Sequence, residues 1–309
     1  MKRWMGRRLG LALGGGGVRG FSHIGVLKVL EREGIDVDLI VGTSAGALIG
    51  GAYASGSSPL ELHRKVDAYI NSPEFESSAL KTIGLTVNPS APTLWKKVQK
   101  AVRLRYYTLS AFFKPAILPL ADFEALINHF IPDIDIHATR IPFRVVATDL
   151  ISGKKIVMSG GSLRKAVLAS CAVPGAIDPV HLGDWLLADG GITSVVPVLA
   201  ARQEGADVVI AVVVDRESAA PGQFETAQEI VSRAADITSD RLEEAELQQA
   251  DVVIRPKIGD LHWADFSRAG SLIQEGETAA RIALKDIRGA IPLYKKLLHM
   301  IGRISPRKR

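Results

Sequence analysis

The sequence predicts a three-layer α/β/α fold around a mainly parallel central sheet. Three observations point there. Short apolar runs alternate with helix-like runs along most of the chain, as successive βα units do. The run from Asp207 to Val214 is apolar and β-branched behind its first residue, the pattern of a parallel strand covered on both faces. Two glycine-rich turns, Gly14–Gly20 and Gly42–Gly46, each stand between such a strand and a helix, where α/β proteins place their ligands.

The elements follow in order. Leu9–Leu13 reads as the first strand. A helix from about Phe21 to Glu33 carries Ile24, Leu27 and Leu30 on one face, and Gly34 ends it. Val37–Val41 reads as a strand, and Ala45–Ala54 as the helix behind it. Pro59–Ile70 is a helix with proline at its start and the Ser57-Ser58 pair before it. A helix near Asp122–Phe130 precedes strands near Phe143–Ala147 and Lys155–Met158. A helix near Leu163–Ser170, a turn at Ala172–Gly175 and a short strand Trp185–Ala188 lead into Asp189-Gly190-Gly191. A helix at about Pro197–Glu204, the Asp207–Val214 strand, a helix over Ala227–Gln249 and a strand Val252–Ile254 complete the alternation. There are no repeats, and residues 1–309 read as a single domain.

Composition narrows the classes. Of 309 residues, 47% are hydrophobic, too many for a disordered chain. The net charge of +5 does not by itself imply nucleic-acid binding. Cys171 is the single cysteine, so no internal disulfide forms, which suits a reducing compartment. Its apolar surroundings favour a buried structural thiol over a nucleophile. The apolar run Leu9–Leu13 is too short for a signal peptide or a membrane span, so the expected location is cytoplasmic.

Two stretches stand out by charge. From Ser77 to Ala121 there is no acidic residue but seven bases, interleaved with Trp95, Tyr106, Tyr107, Phe112 and Phe113. It reads as a cap-like insertion whose bases and aromatics suit anionic lipid; a solvated basic helix packed on the core gives a similar pattern. Gly289–Arg309 is again free of acids, with Leu293, Leu297 and Ile301 at four-residue spacing. It reads as a basic amphipathic helix, docked either on the core or on a membrane.

Gly42-Thr43-Ser44-Ala45-Gly46 fits G-x-S-x-G between a strand and a helix, the setting of a nucleophilic serine. Thr43 or Ser44 as a plain N-cap accounts for it as well. Gly15-x-Gly17-x-x-Gly20 also follows a strand and admits two readings. With Asp36 or Asp38 as ribose-binding acid it is a dinucleotide fingerprint. Alternatively, its successive N–H groups form a concavity for an oxyanion. It lies one βα unit before Ser44, so both turns emerge at one sheet edge. A serine needs a base to take its proton. Asp189, at the end of an apolar strand, is the candidate; an Asp before Gly-Gly is also an ordinary turn. His23 reads as a packed helix residue, and His181, His262 and His299 lack a supporting neighbourhood.

Together, Gly15–Gly20, Gly42–Gly46 and Asp189-Gly190-Gly191, in this order and at this spacing, resemble the patatin-like phospholipase family, in particular its small bacterial single-domain members. The Ser170–Pro197 and His23–Leu27 stretches add to the resemblance, which covers about Leu9 to Val214. It implies a patatin-like fold and a lipid acyl hydrolase that uses neither metal nor cofactor. It implies Ser44 as nucleophile and Asp189 as its partner, a Ser–Asp dyad without histidine. Gly15, Gly16 and Gly17 would form the oxyanion hole. Arg19 and Gly20 would support the loop, with Arg19 alternatively meeting a lipid phosphate. The expected partners are a lipid substrate and, peripherally, an anionic membrane, with no nucleic acid. A general carboxylesterase or thioesterase with the same dyad, and a nucleotide-binding regulatory module, are the competing functions.

Overall fold

The computed structural model describes residues 8–82, 116, 118–214, 224, 226–259 and 261–291. Among these, eight strands form one sheet. They are β1 (Leu9–Leu13), β2 (Leu39–Thr43), β3 (Phe143–Asp149), β4 (Lys155–Met158), β5 (Val180–Leu182), β6 (Trp185–Asp189), β7 (Val208–Val212) and β8 (Val252–Ile254). The helices are α1 (Ser22–Arg32), α2 (Ala45–Ala54), α3 (Pro59–Ile70), α4 (Pro73–Ser77), α5 (Leu120–Phe130), α6 (Leu163–Ser170), α7 (Val198–Gln203), α8 (Ala227–Leu247) and α9 (Ala269–Ala290).

The sheet runs β5-β6-β3-β2-β1-β7-β8, with β4 also on β3. β8, β7, β1, β2 and β3 are mutually parallel, whereas β4, β5 and β6 join antiparallel. Alternation along the parallel strands feeds two cores. Leu9, Leu11 and Leu13 of β1 and Val208, Ile210 and Val212 of β7 join the larger core with α1, α2, α3, α5, α6 and α9. Ala12, Val41, Val209 and Ala211 point the other way, against α7 and the end of α8. Both faces are buried, so β1 and β7 carry apolar residues throughout.

β2 lies two residues later than expected. Asp38 ends the preceding turn instead, its carboxylate accepting the Leu9 N–H at 2.7 Å. β5 and α9 were not apparent from the sequence. β5 has three residues, too few to show a period. α9 contains Gly270, Gly276 and Gly289, which lower intrinsic helix propensity; packing on α1 overrides it. A Cβ on Gly25 of α1 would collide with the Ile273 carbonyl, and one on Gly276 with the Ser22 carbonyl. The two backbones therefore cross in direct contact. Most of the expected basic insertion (83–115 and 117) and most of the basic C-terminal segment (292–309) lie outside the described residues.

Replacing Gly276 with Ala should separate α1 from α9. The expected cost is about 1–3 kcal/mol, read as a lower urea midpoint with an unchanged m-value.

Candidate active site

β2 and β6 approach each other along one edge of β3. Thr43 pairs with Val146, and the next β3 residue, Ala147, pairs with Asp189. β4 overlaps both partners in register, pairing with Val145 through Thr148, so it takes the opposite edge. β2 therefore ends where β6 ends, and Ser44 and Asp189 leave the sheet side by side. The sequence placed Asp189 at a strand end, but not on an antiparallel strand running toward the serine.

Ser44 has φ 52° and ψ −120°, the one positive φ of a non-glycine residue among the described residues. Such a conformation costs on the order of 1–3 kcal/mol and persists only where its surroundings impose it. The imposition is visible. The Ser44 N–H donates to Ser170 Oγ at 2.8 Å, and Ser170 Oγ–H donates to the Val146 carbonyl at 2.6 Å. Gly46 lets the first turn of α2 lie against the end of β1, since a Cβ there would overlap the Leu13 carbonyl. A Cβ on Gly42 would likewise meet the Gly46 carbonyl.

Asp189 is buried. Its carboxylate accepts the Gly191 N–H at 2.7 Å, and Asp189 and Ser44 line one cleft. Burial pushes its pKa up to about 6, against the opposing pull of the Ser44 side chain and the Gly191 N–H. Its own N–H donates to the Ala172 carbonyl at 2.8 Å. Gly190 sits tightly between the Val146 carbonyl and Thr43.

Three consecutive residues at the end of α6 gather at the pair. Ser170 fixes the Ser44 backbone, Ala172 fixes the Asp189 backbone, and Cys171 lines the same cleft. Burial, and then the Asp189 charge, push the Cys171 thiol well up, so it stays protonated. The sequence marked Cys171 as buried but gave no sign that it lines the cleft of the serine. Ser170 and Ala172 carried no signal of their own.

The glycine loop curls over Ser44 as a short 3₁₀ turn, Gly17–Phe21. The Gly15 N–H donates to the Val195 carbonyl at 3.0 Å, so it is not available as an oxyanion donor. Gly15 instead provides clearance, since a Cβ there would stand 3.2 Å from Ser44 Cβ. The N–H groups of Gly16 and Gly17 donate to no acceptor among the described residues, and both residues line the cleft. Gly17 has φ 59°, which turns its amide away from the helical course. Arg19 Nε donates to the Gly16 carbonyl at 2.8 Å, bracing the loop from inside the cleft wall. Gly20 packs on Ala45. His23 is buried behind the loop, with Nε2 at 2.8 Å from the Gly14 carbonyl. Burial lowers its pKa to about 4, so the ring is neutral and donates that bond.

One short segment stitches these parts together. Ser194 accepts from Thr43 Oγ1 through its carbonyl at 2.9 Å and donates its N–H to Gly190 at 2.9 Å. Its hydroxyl is 2.8 Å from both carboxylate oxygens of Glu246, which lies buried on α8. Burial raises the Glu246 pKa, against hydrogen bonding from Ser194 and the charge of Lys155.

Ser44, Asp189, Gly16 and Gly17 open into a cleft of about 690 Å³. Its walls are mostly apolar, with Leu48, Phe123, Leu126, Val173, Trp263 and Phe266 among them. His181 is exposed on β5, and His262 is not among the cleft-lining residues. Among the described residues no group of three or more His, Cys, Asp or Glu gathers as a metal site requires. Asp36 and Asp38, the candidate acids of the dinucleotide reading, both precede β2, and Asp38 bonds the start of β1, at the end of the sheet opposite the glycine loop.

A strained serine, a buried carboxylate and two amides without an acceptor among the described residues stand together at one end of an α/β sheet. The chain belongs to the patatin-like phospholipase family, whose profile matches residues 11–202. It is 33% identical over 216 residues to an uncharacterized NTE family protein of Mycobacterium tuberculosis, covering 70% of this chain and 51% of that protein. It is 32% identical over 209 residues to patatin-like phospholipase domain-containing protein 6 of Mus musculus, covering 67% of this chain and 13% of that one. The chain thus spans about half or less of the length of these relatives. The crystal structure of VipD from Legionella pneumophila matches with a TM-score of 0.49 and 14% identity, covering 92% of this chain and 67% of that one. Among the described residues no helix is long and apolar enough to cross a membrane.

The buried carboxylate has a consequence for stability. Its folded pKa of about 6 lies above its ordinary value of 3.8. Between those values the folded chain holds more protons than the unfolded one, so this group's contribution to stability falls as pH rises through the window. Asp189→Asn should therefore stabilise the fold by roughly 2 kcal/mol at pH 7.5. The gain should shrink toward pH 4, as measured by denaturation at both pH values.

Proposed function

We propose that this chain is a lipid acyl hydrolase that cleaves fatty-acyl esters of phospholipids or lysophospholipids with a Ser44–Asp189 dyad. The observation that carries the reading is the convergence of a strained Ser44 and a buried Asp189 in one apolar cleft. Family membership supports lipid hydrolysis in general.

In this mechanism the Asp189 carboxylate takes the Ser44 hydroxyl proton as Oγ attacks the ester carbonyl carbon. The carbonyl π electrons move onto oxygen, and the Gly16 and Gly17 N–H groups hold that anion. As the tetrahedral intermediate collapses, the bond to the leaving alkoxide breaks and Asp189 returns the proton to it. An acyl group is left on Ser44. A water then gives its proton to Asp189 and attacks the acyl carbonyl. Collapse returns the proton to Ser44 and releases the fatty acid. A carboxylate of ordinary pKa would be a poor proton acceptor here; the raised value brings it nearer to working pH. The apolar cleft wall suits the acyl chain. No metal or cofactor is needed for these steps.

Ser44→Ala should lower kcat/KM on a short-chain nitrophenyl ester by roughly four orders of magnitude or more and abolish labelling by a fluorophosphonate. Retained turnover would remove Ser44 from the mechanism. In the native chain kcat/KM should rise with pH about tenfold per unit below pH 6 and level off above about pH 7, because the ionised Asp189 is the active form. A profile flat from pH 5 to 7 would exclude Asp189 as the base.

A further inference from the structure

α8 is 21 residues long, roughly 31 Å, and it joins the core beside β7 near its C-terminal end, at Leu247. Its first buried side chain among those described is Glu243. Of the four turns before it, Ala235, Asp236, Thr238, Ser239 and Leu242 line the cleft.

These four turns have an unusual polarity. Ile230, Ala234 and Ile237 follow i, i+4, i+7 spacing and share one stripe. Val231 lies on the next stripe with Ala235, Thr238 and Leu242. A surface helix ordinarily turns such a stripe to the core. Here Ile230 is 56% exposed, Val231 68% and Ile237 46%, with Phe224 just ahead at 42%. Single exposed apolar residues are normal, whereas a cluster marks an interaction site. The stripe is also continuous with the cleft, because Ala235, Thr238 and Leu242 line it. Across the mouth Ile192, in the turn after Asp189, also lines the cleft while 45% exposed.

We infer that the outward stripe of α8, with Phe224, seats the cleft mouth on a lipid surface, so that an acyl chain passes from the hydrocarbon of a bilayer into the cleft. The inference rests on the lipid-hydrolase reading above. A second protein covering this stripe would crowd the mouth through which substrate reaches Ser44, whereas a lipid surface supplies that substrate. Each methylene drawn through water costs free energy, and an apolar path from leaflet to cleft removes that cost. Residues 224–241 carry Glu225, Glu229, Asp236 and Asp240 against Arg233 and Arg241. With so little net charge, the contact is hydrophobic, and it takes zwitterionic lipid without strong dependence on salt.

The test compares the native chain with Ile230→Ser/Val231→Ser/Ile237→Ser and with Ile282→Ser, a still more exposed site on α9. Binding is read by sedimentation with phosphatidylcholine vesicles. Hydrolysis of a soluble short-chain nitrophenyl ester is read separately. The triple variant should partition onto vesicles at least tenfold more weakly and cleave the soluble ester within twofold of the native rate; Ile282→Ser should match the native chain in both. Vesicle binding that survives the triple substitution, or is absent in the native chain, overturns the inference. So does a native oligomer that the triple variant dissociates in light scattering, since the stripe would then belong to a second copy. Vesicle binding lost as expected, in a chain whose Ser44 is inert to ester and fluorophosphonate, would support the lipid surface and refute the hydrolase reading instead.

Discussion

The site depends on how strand β3 shares one of its edges. β2 and β6 run toward each other along that edge and stop at adjacent positions, Val146 and Ala147. Neither can extend without displacing the other, so both chains must leave the sheet there. One leaves through the Ser44 turn and the other through Asp189-Gly190. The convergence of serine and carboxylate follows from this strand geometry, because residues 145 positions apart in sequence emerge from one gap in a sheet.

Much of the remaining structure maintains a carboxylate in a place that disfavours its charge. Asp189 is buried, and what supports its ionised form is local: the Gly191 N–H and the Ser44 side chain. Burial outweighs them and leaves the group less acidic than in water. The strain at Ser44 is held in a similar way, through Ser170 and the close contact of α2 with β1. Site and fold make opposed demands at both residues, as is common where chemistry is done.

The sequence showed the alternation of elements because both sheet faces are covered, which forces apolar residues into every parallel strand. It showed the three motifs because glycine is needed where backbone approaches backbone. It did not show that β6 is antiparallel, since periodicity carries no direction. It placed three loop glycines in the oxyanion hole, whereas a hydrogen bond to Val195 takes the Gly15 amide out. It assigned no role at the site to Ser170, Ala172, Ser194 and Glu246, because each acts through a partner far away in sequence. The glycines of α9 concealed a helix whose stability comes from contact with α1. The outward apolar stripe of α8 reads in sequence like any amphipathic helix; only burial shows which way it faces.

The Ser194–Val195 segment also bears on how the chain comes to be functional. It bonds the glycine loop, the serine strand, the aspartate turn and α8. These pieces span Gly15 to Glu246, so the contacts are long-range and form late relative to local helices. During synthesis the serine turn emerges about 150 residues before the segment that fixes its strand, and about 200 before Glu246. A nascent or partly folded chain therefore carries the residues of the site without the contacts that arrange them. The late completion of the site is a by-product of topology.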